Sequence, residues 1–267
     1  MFCKDDSLTY LNHLGYNVIS LPRENVEPLL IIGGKKKKLE ILGPLSHFVE
    51  EPASVPPIKY DQTTGKITSK RTSKLDSRMG LELMNKYLSA MGAASGKLNA
   101  GYEKAVQIEI VFENVLSDSV FITAIDDYLS SAKPKTKTLL MDCINEEGEA
   151  HIITETIKSN SFGVIAYNSS QQVLDLDVKG IQNLLGGTGG INVSKDETAK
   201  VSYQGNKFLK FGFKAASFWV EEDVQGKAHF RLKIDTDNLA MKGATAGEKP
   251  RHEVLLAKDE LIDLDSW

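Results

Sequence analysis

The longest alternation of apolar and polar positions in the chain runs from residue 97 to residue 113. Its odd-numbered positions are nearly all polar, and its even-numbered positions are apolar apart from Lys104. Successive side chains of a β-strand point to opposite faces, so this pattern predicts one long strand with an apolar face. That face comprises Leu98, Ala100, Tyr102, Val106, Ile108, Ile110 and Phe112.

Two interpretations of this predicted strand remain open. Strands of globular proteins usually span five or six residues, whereas this one, at about 3.3 Å per residue, reaches roughly 50 Å. Tilted by about 45°, it rises roughly 35 Å, which is enough to cross a hydrocarbon core of about 30 Å. It is therefore either a half-buried strand that curls around a soluble core or a strand that faces lipid.

A second region repeats this arrangement in a weaker form. Its apolar positions of shared parity are Ile191, Val193, Val201 and Tyr203, interrupted by Lys195 and Glu197. Each region has the order strand, helix, strand: residues 59–74, 75–94 and 97–113 in the first, and 150–167, 171–185 and 190–203 in the second. Each unit would form a hairpin if its helix straightened, and the alternative is a plain helical connection on a sheet. The first strand has only two apolar members, Tyr60 and Ile67, so its hairpin has a short outer face or begins elsewhere, as at residues 39–49.

The remaining periodicity sets the fold class. Helical spacing of apolar residues predicts helices at residues 7–14, 75–94, 118–132 and 171–185. Strand-like runs occupy residues 17–21, 28–32, 138–144, 150–157, 162–167, 191–193, 200–203, 208–220 and 227–234. Because the order has no regular βαβ alternation, we predict an α+β fold with a twisted, mostly antiparallel central sheet and surrounding helices.

Composition narrows the function classes. The 267 residues are 41% hydrophobic and 25% charged, as in an ordinary globular protein. A net charge of −4 argues against general nucleic-acid binding. Two cysteines, Cys3 and Cys143, make no disulfide framework. The N-terminus has no signal-peptide pattern, and no run approaches the roughly 18 apolar residues of a membrane-spanning helix. These features predict a protein that is cytoplasmic when intact.

The sequence gives little support to catalysis. The five histidines follow no metal-ligand spacing, so no metal site is predicted. Cys143 and His151 flank a predicted turn and have the chemistry of a nucleophilic pair, but Cys143 fits better as a buried member of an apolar strand. The glycine-rich stretch at 186–190 lacks the lysine and hydroxyl residue of a phosphate loop. We therefore predict that the protein is not an enzyme.

The C-terminal residues divide into a linker and a tail. Residues 243–251, GATAGEKPR, are small, flexible and polar, and they predict a protease-sensitive linker. Candidate positions for cleavage are Lys242, Gly243, Gly247, Glu248, Lys249 and Arg251. A trypsin-like enzyme would favour Lys242 or Arg251, because Pro250 follows Lys249. A caspase-like enzyme could prefer another bond.

The tail, residues 252–267, is both apolar and acidic. Its apolar residues are Val254, Leu255, Leu256, Leu261, Ile262, Leu264 and Trp267. They predict docking across an apolar groove, although an ordinary terminal helix that completes the core is the alternative. The tail alone carries the whole net charge of −4, so its removal would leave a body that anionic lipid repels less.

Two further features point to a membrane surface. Cys3 precedes any predicted element and has neither a disulfide partner nor a rigid scaffold, so fatty acylation is a candidate role beside that of an unmodified cysteine. Basic residues form the other feature and are candidates for lipid-headgroup contact, with a solvated basic face as the alternative. They are Lys35, Lys36, Lys37, Lys38, Lys70 and Arg71, together with Lys59, Lys66 and Lys74.

The sequence resembles the bacterial gasdermins over nearly the whole chain. The resemblance is carried by the features described above and by the N-terminal stretch LGYNVISLPRENVEPL. The resemblance implies a pore-forming domain at residues 1–242, the linker at 243–251 and an autoinhibitory peptide at 252–267. It implies that a caspase-like or other protease removes this peptide. The body would then assemble with copies of itself into large pores in the inner membrane, killing the infected cell and limiting phage spread.

The resemblance also implies palmitoylation of Cys3, with the lipid in an apolar channel, and no other cofactor. The expected partners are the activating protease, membrane lipids and further copies of the chain. An acyl-anchored, β-rich module that binds lipid or protein without inserting into the membrane is the alternative function.

Overall fold

The computed structural model describes residues 11–35, 38–50, 54–64, 74–93, 98–145, 149–185, 190–225, 227–233, 253–256 and 261–266. The strands in these ranges are β1 (Asn17–Arg23), β2 (Leu30–Lys35), β3 (Lys38–Pro44), β4 (Lys59–Thr63), β5 (Lys74–Asp76), β6 (Gln107–Glu113), β7 (Leu116–Ser119), β8 (Glu149–Tyr167), β9 (Asn192–Lys195), β10 (Val201–Glu222), β11 (Ala228–Leu232), β12 (Glu253–Val254) and β13 (Leu261–Ser266). The helices are α1 (Ser77–Ala90), α2 (Ile122–Ser131), α3 (Leu139–Asn145) and α4 (Val178–Leu184). Short 3-10 helices occupy Leu45–Phe48 and Leu98–Tyr102.

Two unusually long strands, β8 and β10, form the centre of the sheet. They pair antiparallel from Val201 opposite Val164 to Phe218 opposite Ala150. The second edge of β8 is covered in turn by β2, β7 and β6. The second edge of β10 is covered by β9, β1, β12 and β11. Among the described strands only the pairs β1–β13 and β3–β13 are parallel, so the predicted α+β fold with a mostly antiparallel sheet is confirmed.

Six of these strands close on themselves. The hydrogen-bonded order β10, β1, β13, β3, β2, β8 returns to β10, because β8 also pairs with β10. Each of the six strands contributes buried apolar side chains to one shared cluster. We call this arrangement the six-strand ring. The cluster that fills it contains Ile19, Val26, Ile32, Leu39, Ile153, Phe213, Ala215, Ile262 and Leu264.

Two other cores lie outside the ring. The larger one is packed beneath α1, whose buried face includes Met84, Tyr87 and Leu88. The other is packed between the sheet and α2, with Phe218 and Phe230 in edge-to-face contact at 5.6 Å. None of the helices in the described ranges has the length and apolar character needed to cross a bilayer.

The helix predicted at residues 75–94 is present with narrower bounds. It ends at Ala90 because Gly92 adopts a φ of +91°, which turns the chain. The N–H of Ala93 then bonds back to the carbonyl of Leu88 at 2.9 Å. Gly96, predicted as the terminator, lies outside the described residues.

Three predicted elements are wrong in type or extent. The run predicted as a strand at residues 138–144 lies in helix α3 instead, because the Thr138 hydroxyl accepts a hydrogen bond from the N–H of Met141 at 3.4 Å and caps the helix that begins at Leu139. This places Cys143 on a helix. The helix predicted at 171–185 begins only at Val178, where Asp177 accepts a hydrogen bond from the N–H of Lys179. The helix predicted at 118–132 is split into β7 and α2.

The long strand predicted at 97–113 is also shorter than expected. Residues 98–102 form a 3-10 helix, and only Gln107–Glu113 pairs as a strand. Conversely, the two strands predicted at 150–157 and 162–167 are one continuous strand, β8. The polar break between them is accommodated because the Ser159 hydroxyl accepts a hydrogen bond from the N–H of Ser161 at 3.0 Å. Likewise β10 joins the runs predicted at 200–203 and 208–220.

Candidate functional site

The C-terminal tail is a strand of the sheet. Strand β13 lies between β1 and β3 and runs parallel to both. On one side Leu261 and Ile262 pair with Val18 and Ile19. On the other side residues 263–266 pair with residues 38–41. The tail therefore completes the six-strand ring, which is a closer integration than the groove docking expected from the sequence.

Alternate side chains of β13 point into the ring. Ile262 is 0% exposed and Leu264 is 1% exposed, and both belong to the cluster that fills the ring. Leu261, on the opposite parity, is half-buried and packs against the core beneath α1. The tail thus joins two cores, and its removal would leave both with missing side chains.

The segment before β13 is held by Asn17, which the sequence analysis did not single out. The Asn17 side chain is 0% exposed. Its Nδ2 donates to the carbonyl of Val254 at 3.0 Å, and its Oδ1 accepts from the N–H of Leu256 at 2.8 Å. Strand β12 also pairs Val254 with Ala215 of β10. The only sequence signal for Asn17 is a polar residue at the start of the apolar strand NVIS.

The apolar residues predicted to face lipid lie mostly in the core beneath α1. Tyr102, Ile108, Ile110, Ile191, Val201 and Tyr203 are buried in the core beneath α1, and Phe112 and Val193 pack against it. Val106 differs, since 42% of its surface is exposed. Leu98 begins the 3-10 helix. In this state α1 covers the face that would have to meet lipid.

The strands of the two predicted hairpin units are already neighbours. Strand β5 pairs with β6, β6 with β8, and β8 with β10, all antiparallel. The units are also linked by side chains, because the hydroxyl oxygens of Tyr102 and Tyr203 lie 2.6 Å apart. Burial raises the pKa of both phenols, so both remain neutral hydrogen-bonding groups.

An ion cluster links β4, in the first hairpin unit, to β7 and to the long central strand β8. Lys158 of β8 donates to both carboxylate oxygens of buried Asp118 at 2.7 Å and approaches Asp61 at 2.8 Å. Burial alone would lower the pKa of Lys158, but the two carboxylates outweigh it and raise the pKa. This lysine is therefore held charged between β4 and β7.

The predicted headgroup residues are only partly covered by the structure. Lys35 of β2 and Lys38 of β3 are partners in the antiparallel register, and Lys74 begins β5. The ammonium group of Lys59 lies 4.0 Å above the ring of Phe121. Several predicted positions lie outside the described residues. They are the lipidation site Cys3, the headgroup residues Lys36, Lys37, Lys66, Lys70 and Arg71, the linker positions Lys242, Gly243, Gly247, Glu248, Lys249 and Arg251, and Trp267 of the tail.

The cysteine and histidine considered for catalysis have separate contacts. The thiol of Cys143 points to the carbonyl of Glu149, at 3.8 Å, whereas His151 Nδ1 lies 2.8 Å from the hydroxyl of Ser217. Burial, together with the nearby charge of Lys233, lowers the pKa of His151 to about 4. Within the described ranges, no three metal-ligating side chains converge.

Comparisons with known proteins agree with this fold. The model of the Bacterial Gasdermin Family matches residues 19–227. The chain is 34% identical over 268 residues to gasdermin bGSDM of Vitiosangium sp. (strain GDMCC 1.1324), covering 99% of each chain. It is 31% identical over 244 residues to gasdermin bGSDM of a Desulfuromonadales bacterium, covering 91% of each.

The architecture also matches a solved structure. A bacterial gasdermin from Bradyrhizobium tropiciagri superposes with a TM-score of 0.68 at 16% identity, covering 99% of this chain and 98% of that chain. The resemblance noted from the sequence is thus confirmed over nearly the whole length. The chain belongs to the bacterial gasdermin family, a family of pore-forming proteins.

Proposed function

We propose that this chain is an autoinhibited pore former in which residues 252–267 hold the soluble state closed. One observation carries the proposal: β13 completes the six-strand ring and places Ile262 and Leu264 in its centre. A segment that merely covered the surface could leave without changing the fold. A strand that closes a ring cannot leave without exposing apolar side chains and the backbone of both neighbouring strands.

Activation begins with proteolysis in residues 243–251, by a caspase-like or trypsin-like enzyme. Loss of β13 leaves the facing edges of β1 and β3 without their hydrogen-bond partner. The ring then loses two buried aliphatic side chains, each worth about 1.5–3 kcal/mol of burial. Rearrangement of the body becomes favourable because the closed state has lost part of its stability.

Insertion requires α1 to leave the sheet, since it covers the predicted lipid-facing side chains. Strands β5, β6, β8 and β10 already have the antiparallel order of two adjacent hairpins. Extension through residues 77–102 and 168–200 would lengthen these hairpins enough to span the bilayer. Unpaired strand edges are too costly in lipid, so many copies must pair around a closed oligomer.

Two kinds of group would bring the body to the membrane: a covalent acyl chain and basic side chains. A palmitoyl group on Cys3 would anchor the body, since each buried CH₂ contributes about 0.8 kcal/mol. Basic residues such as Lys35, Lys38 and Arg71 would contact anionic headgroups of the inner membrane. The resulting pores would kill an infected cell and so limit phage spread, which makes the protein an antiphage effector.

Truncation tests the proposal directly. A chain ending at Arg251 should be toxic when expressed in bacteria and should release dye from lipid vesicles, whereas the full chain should do neither. Cys3→Ala should weaken the toxicity, and the intact mass of the wild-type chain should include an acyl group. An inert truncated chain would refute pore formation, and an unmodified mass would refute the lipid anchor.

A second candidate function has one observation in its favour. Ile108 and Tyr203, which the pore would turn toward lipid, are fully buried in the described state. A membrane-anchored module that binds lipid or protein without inserting would keep them there. Such a module would bind vesicles in the acylated form and leave them intact with or without the tail.

A further inference from the structure

We propose that cleavage of the linker does not by itself release the tail, and that Asn17 controls how long the cut tail stays bound. The inference rests on the proposed function in one respect, namely that the tail is the inhibitor. It adds a separate step, dissociation of a bound peptide, between proteolysis and opening of the ring.

The contacts that the structure describes for the tail are made by residues 253–256 and 261–266, which follow the linker. Glu253 and Val254 pair with β10, and residues 261–266 pair with β1 and β3. Cutting a peptide bond in residues 243–251 removes none of these pairings. The cut tail therefore retains the same backbone pairings with three strands, β10, β1 and β3, and the same buried side chains, Ile262 and Leu264.

Asn17 supplies a contact with unusual consequences for release. Its primary amide has the donor and acceptor of a peptide group, and it binds the carbonyl of Val254 and the N–H of Leu256 as a neighbouring strand would. The side chain is 0% exposed. For the tail to leave, both of these hydrogen bonds must break before water can reach the buried amide and replace them, which raises the barrier to dissociation.

The slot, which is the gap between β1 and β3 that β13 fills, determines the sequence pattern of the segment that can bind there. Ile262 and Leu264 point into the ring, while Asp263 between them is exposed and its carboxylate contacts the hydroxyl of Ser20. The slot thus fits an extended segment with apolar residues at alternate positions and an acid between them. The segment it holds is the chain's own tail, by the strand-addition mode of peptide recognition.

The cut changes the thermodynamics of this interaction without changing its contacts. A tethered tail rebinds intramolecularly, at an effective concentration in about the millimolar range. After the cut, a tail that dissociates is diluted to the protein concentration, so release becomes practically irreversible. Proteolysis therefore converts a stable closed state into one with a finite lifetime, and that lifetime depends on the contacts of residues 253–266.

The experiment uses the full chain with residues 243–249 replaced by the recognition sequence of a site-specific protease and a dye attached after Trp267. Cleavage is followed by denaturing gel, and tail release by the fall in dye anisotropy, in solution without membranes. We expect complete cleavage before the anisotropy falls. Asn17→Ala should accelerate the fall by about tenfold or more, whereas Asn192→Ala, the same change at an exposed position of β9, should not.

A second measurement covers the case in which Asn17→Ala fails to fold. Hydrogen exchange of the cut chain, with its natural Asn17, should leave the amides of residues 254–256 and 261–266 protected immediately after cleavage. Loss of anisotropy in step with cleavage, or complete exchange of those amides at once, would overturn the inference. Equal release rates for Asn17→Ala and Asn192→Ala would overturn the role of Asn17.

The two proposals fail separately. Tail retention is measured without vesicles, so the result does not depend on whether the protein forms pores. If the tail is retained and then released, yet vesicles never leak, the proposed function fails while this inference holds. If vesicles leak fully while the tail remains bound, the tail is not the inhibitor.

Discussion

The hydroxyl oxygens of Tyr102 and Tyr203 lie 2.6 Å apart in the core beneath α1. Tyr102 ends the 3-10 helix of the first hairpin unit, and Tyr203 lies near the start of β10 in the second. Burial raises the pKa of both phenols, and neither side chain has more than 1% of its surface exposed. This single hydrogen bond thus joins the two units that the proposed insertion would have to separate from α1.

Tyr102→Phe should destabilise the uncut protein. It leaves the Tyr203 hydroxyl buried without its partner, which costs about 1–3 kcal/mol. The double substitution Tyr102→Phe with Tyr203→Phe removes both polar groups and should recover most of that loss. Urea denaturation of the three proteins checks this, and a double variant as unstable as the single one would show that the hydrogen bond is not the cause.

Val106→Lys should impair pore formation without destabilising the uncut protein, if Val106 belongs to a strand that faces lipid in the pore. Val106 is 42% exposed, so the soluble fold should tolerate lysine within about 0.5 kcal/mol. In a lipid-facing strand the same charge costs roughly 2–4 kcal/mol near the bilayer centre. Dye release by the activated protein should therefore fall several-fold. Ile108→Asp would be less informative, because Ile108 is 0% exposed and a charge there would unfold the soluble protein.

The matched control for this variant is Glu103→Lys, at an exposed position of the opposite parity. It should leave dye release close to that of the unsubstituted protein, since polar side chains of that parity would face away from lipid. Equal release by Val106→Lys and the unsubstituted protein would contradict the assignment of Val106 to a lipid-facing strand.

Leu264→Ala should loosen the tail before any proteolysis. Truncation of a buried leucine costs about 2–5 kcal/mol, and here the loss weakens β13 against both β1 and β3. The amides of residues 261–266 should exchange with deuterium faster, and the uncut protein should release dye slowly. Asn192→Ala, at an exposed position of β9 outside the tail, should leave this exchange unchanged; similar effects of both variants would argue against the ring contact as the restraint.

The stability of the uncut protein should fall in mild acid partly because of His151. Burial and Lys233 lower its pKa from 6.5 to about 4. Glu149 lies 3.6 Å away and would favour the charged form, but it is largely exposed, so burial dominates. The folded pKa lies below the unfolded value. The unfolded chain therefore takes up the proton first, and the stabilising contribution, complete above about pH 6.5, is lost as pH falls toward 4.

Urea midpoints at several pH values check this assignment. His151→Asn can keep a contact with Ser217, and it should flatten the pH dependence by an amount on the order of 2 kcal/mol across this range. Asn192→Ala, at an exposed position of β9, should retain the full dependence. An unchanged slope in His151→Asn would assign the acid sensitivity to other groups.

Alternation and spacing in the sequence predicted the fold class and the position of α1. They failed where a single polar side chain decides the local structure. Thr138 caps α3 and Asp177 caps α4, and both caps shift element boundaries that apolar spacing alone places incorrectly. Ser159 likewise decides local structure through a side-chain hydrogen bond: its hydroxyl accepts from the N–H of Ser161, and β8 continues through the polar break.

The candidate site was predictable only in part. Leu261, Ile262 and Leu264 stand out as apolar residues that a free tail would not retain. Their location between β1 and β3 depends on pairings more than 200 residues apart, which no local pattern encodes. Asn17 escapes sequence analysis because its function comes from two backbone partners in the tail, whose position only the folded ring defines.

The central claim, that β13 holds the soluble state closed, can be tested by locking the tail in place. Ser20 and Asp263 are in side-chain contact across β1 and β13, so Ser20→Cys with Asp263→Cys places two thiols within disulfide range. In a chain with a site-specific protease sequence in the linker, the cut and oxidised protein should leave dye-loaded vesicles intact, and reductant should start release. Release by the cut, oxidised protein at the rate of the reduced one would contradict the account, as would a reduced, cut protein that never releases dye.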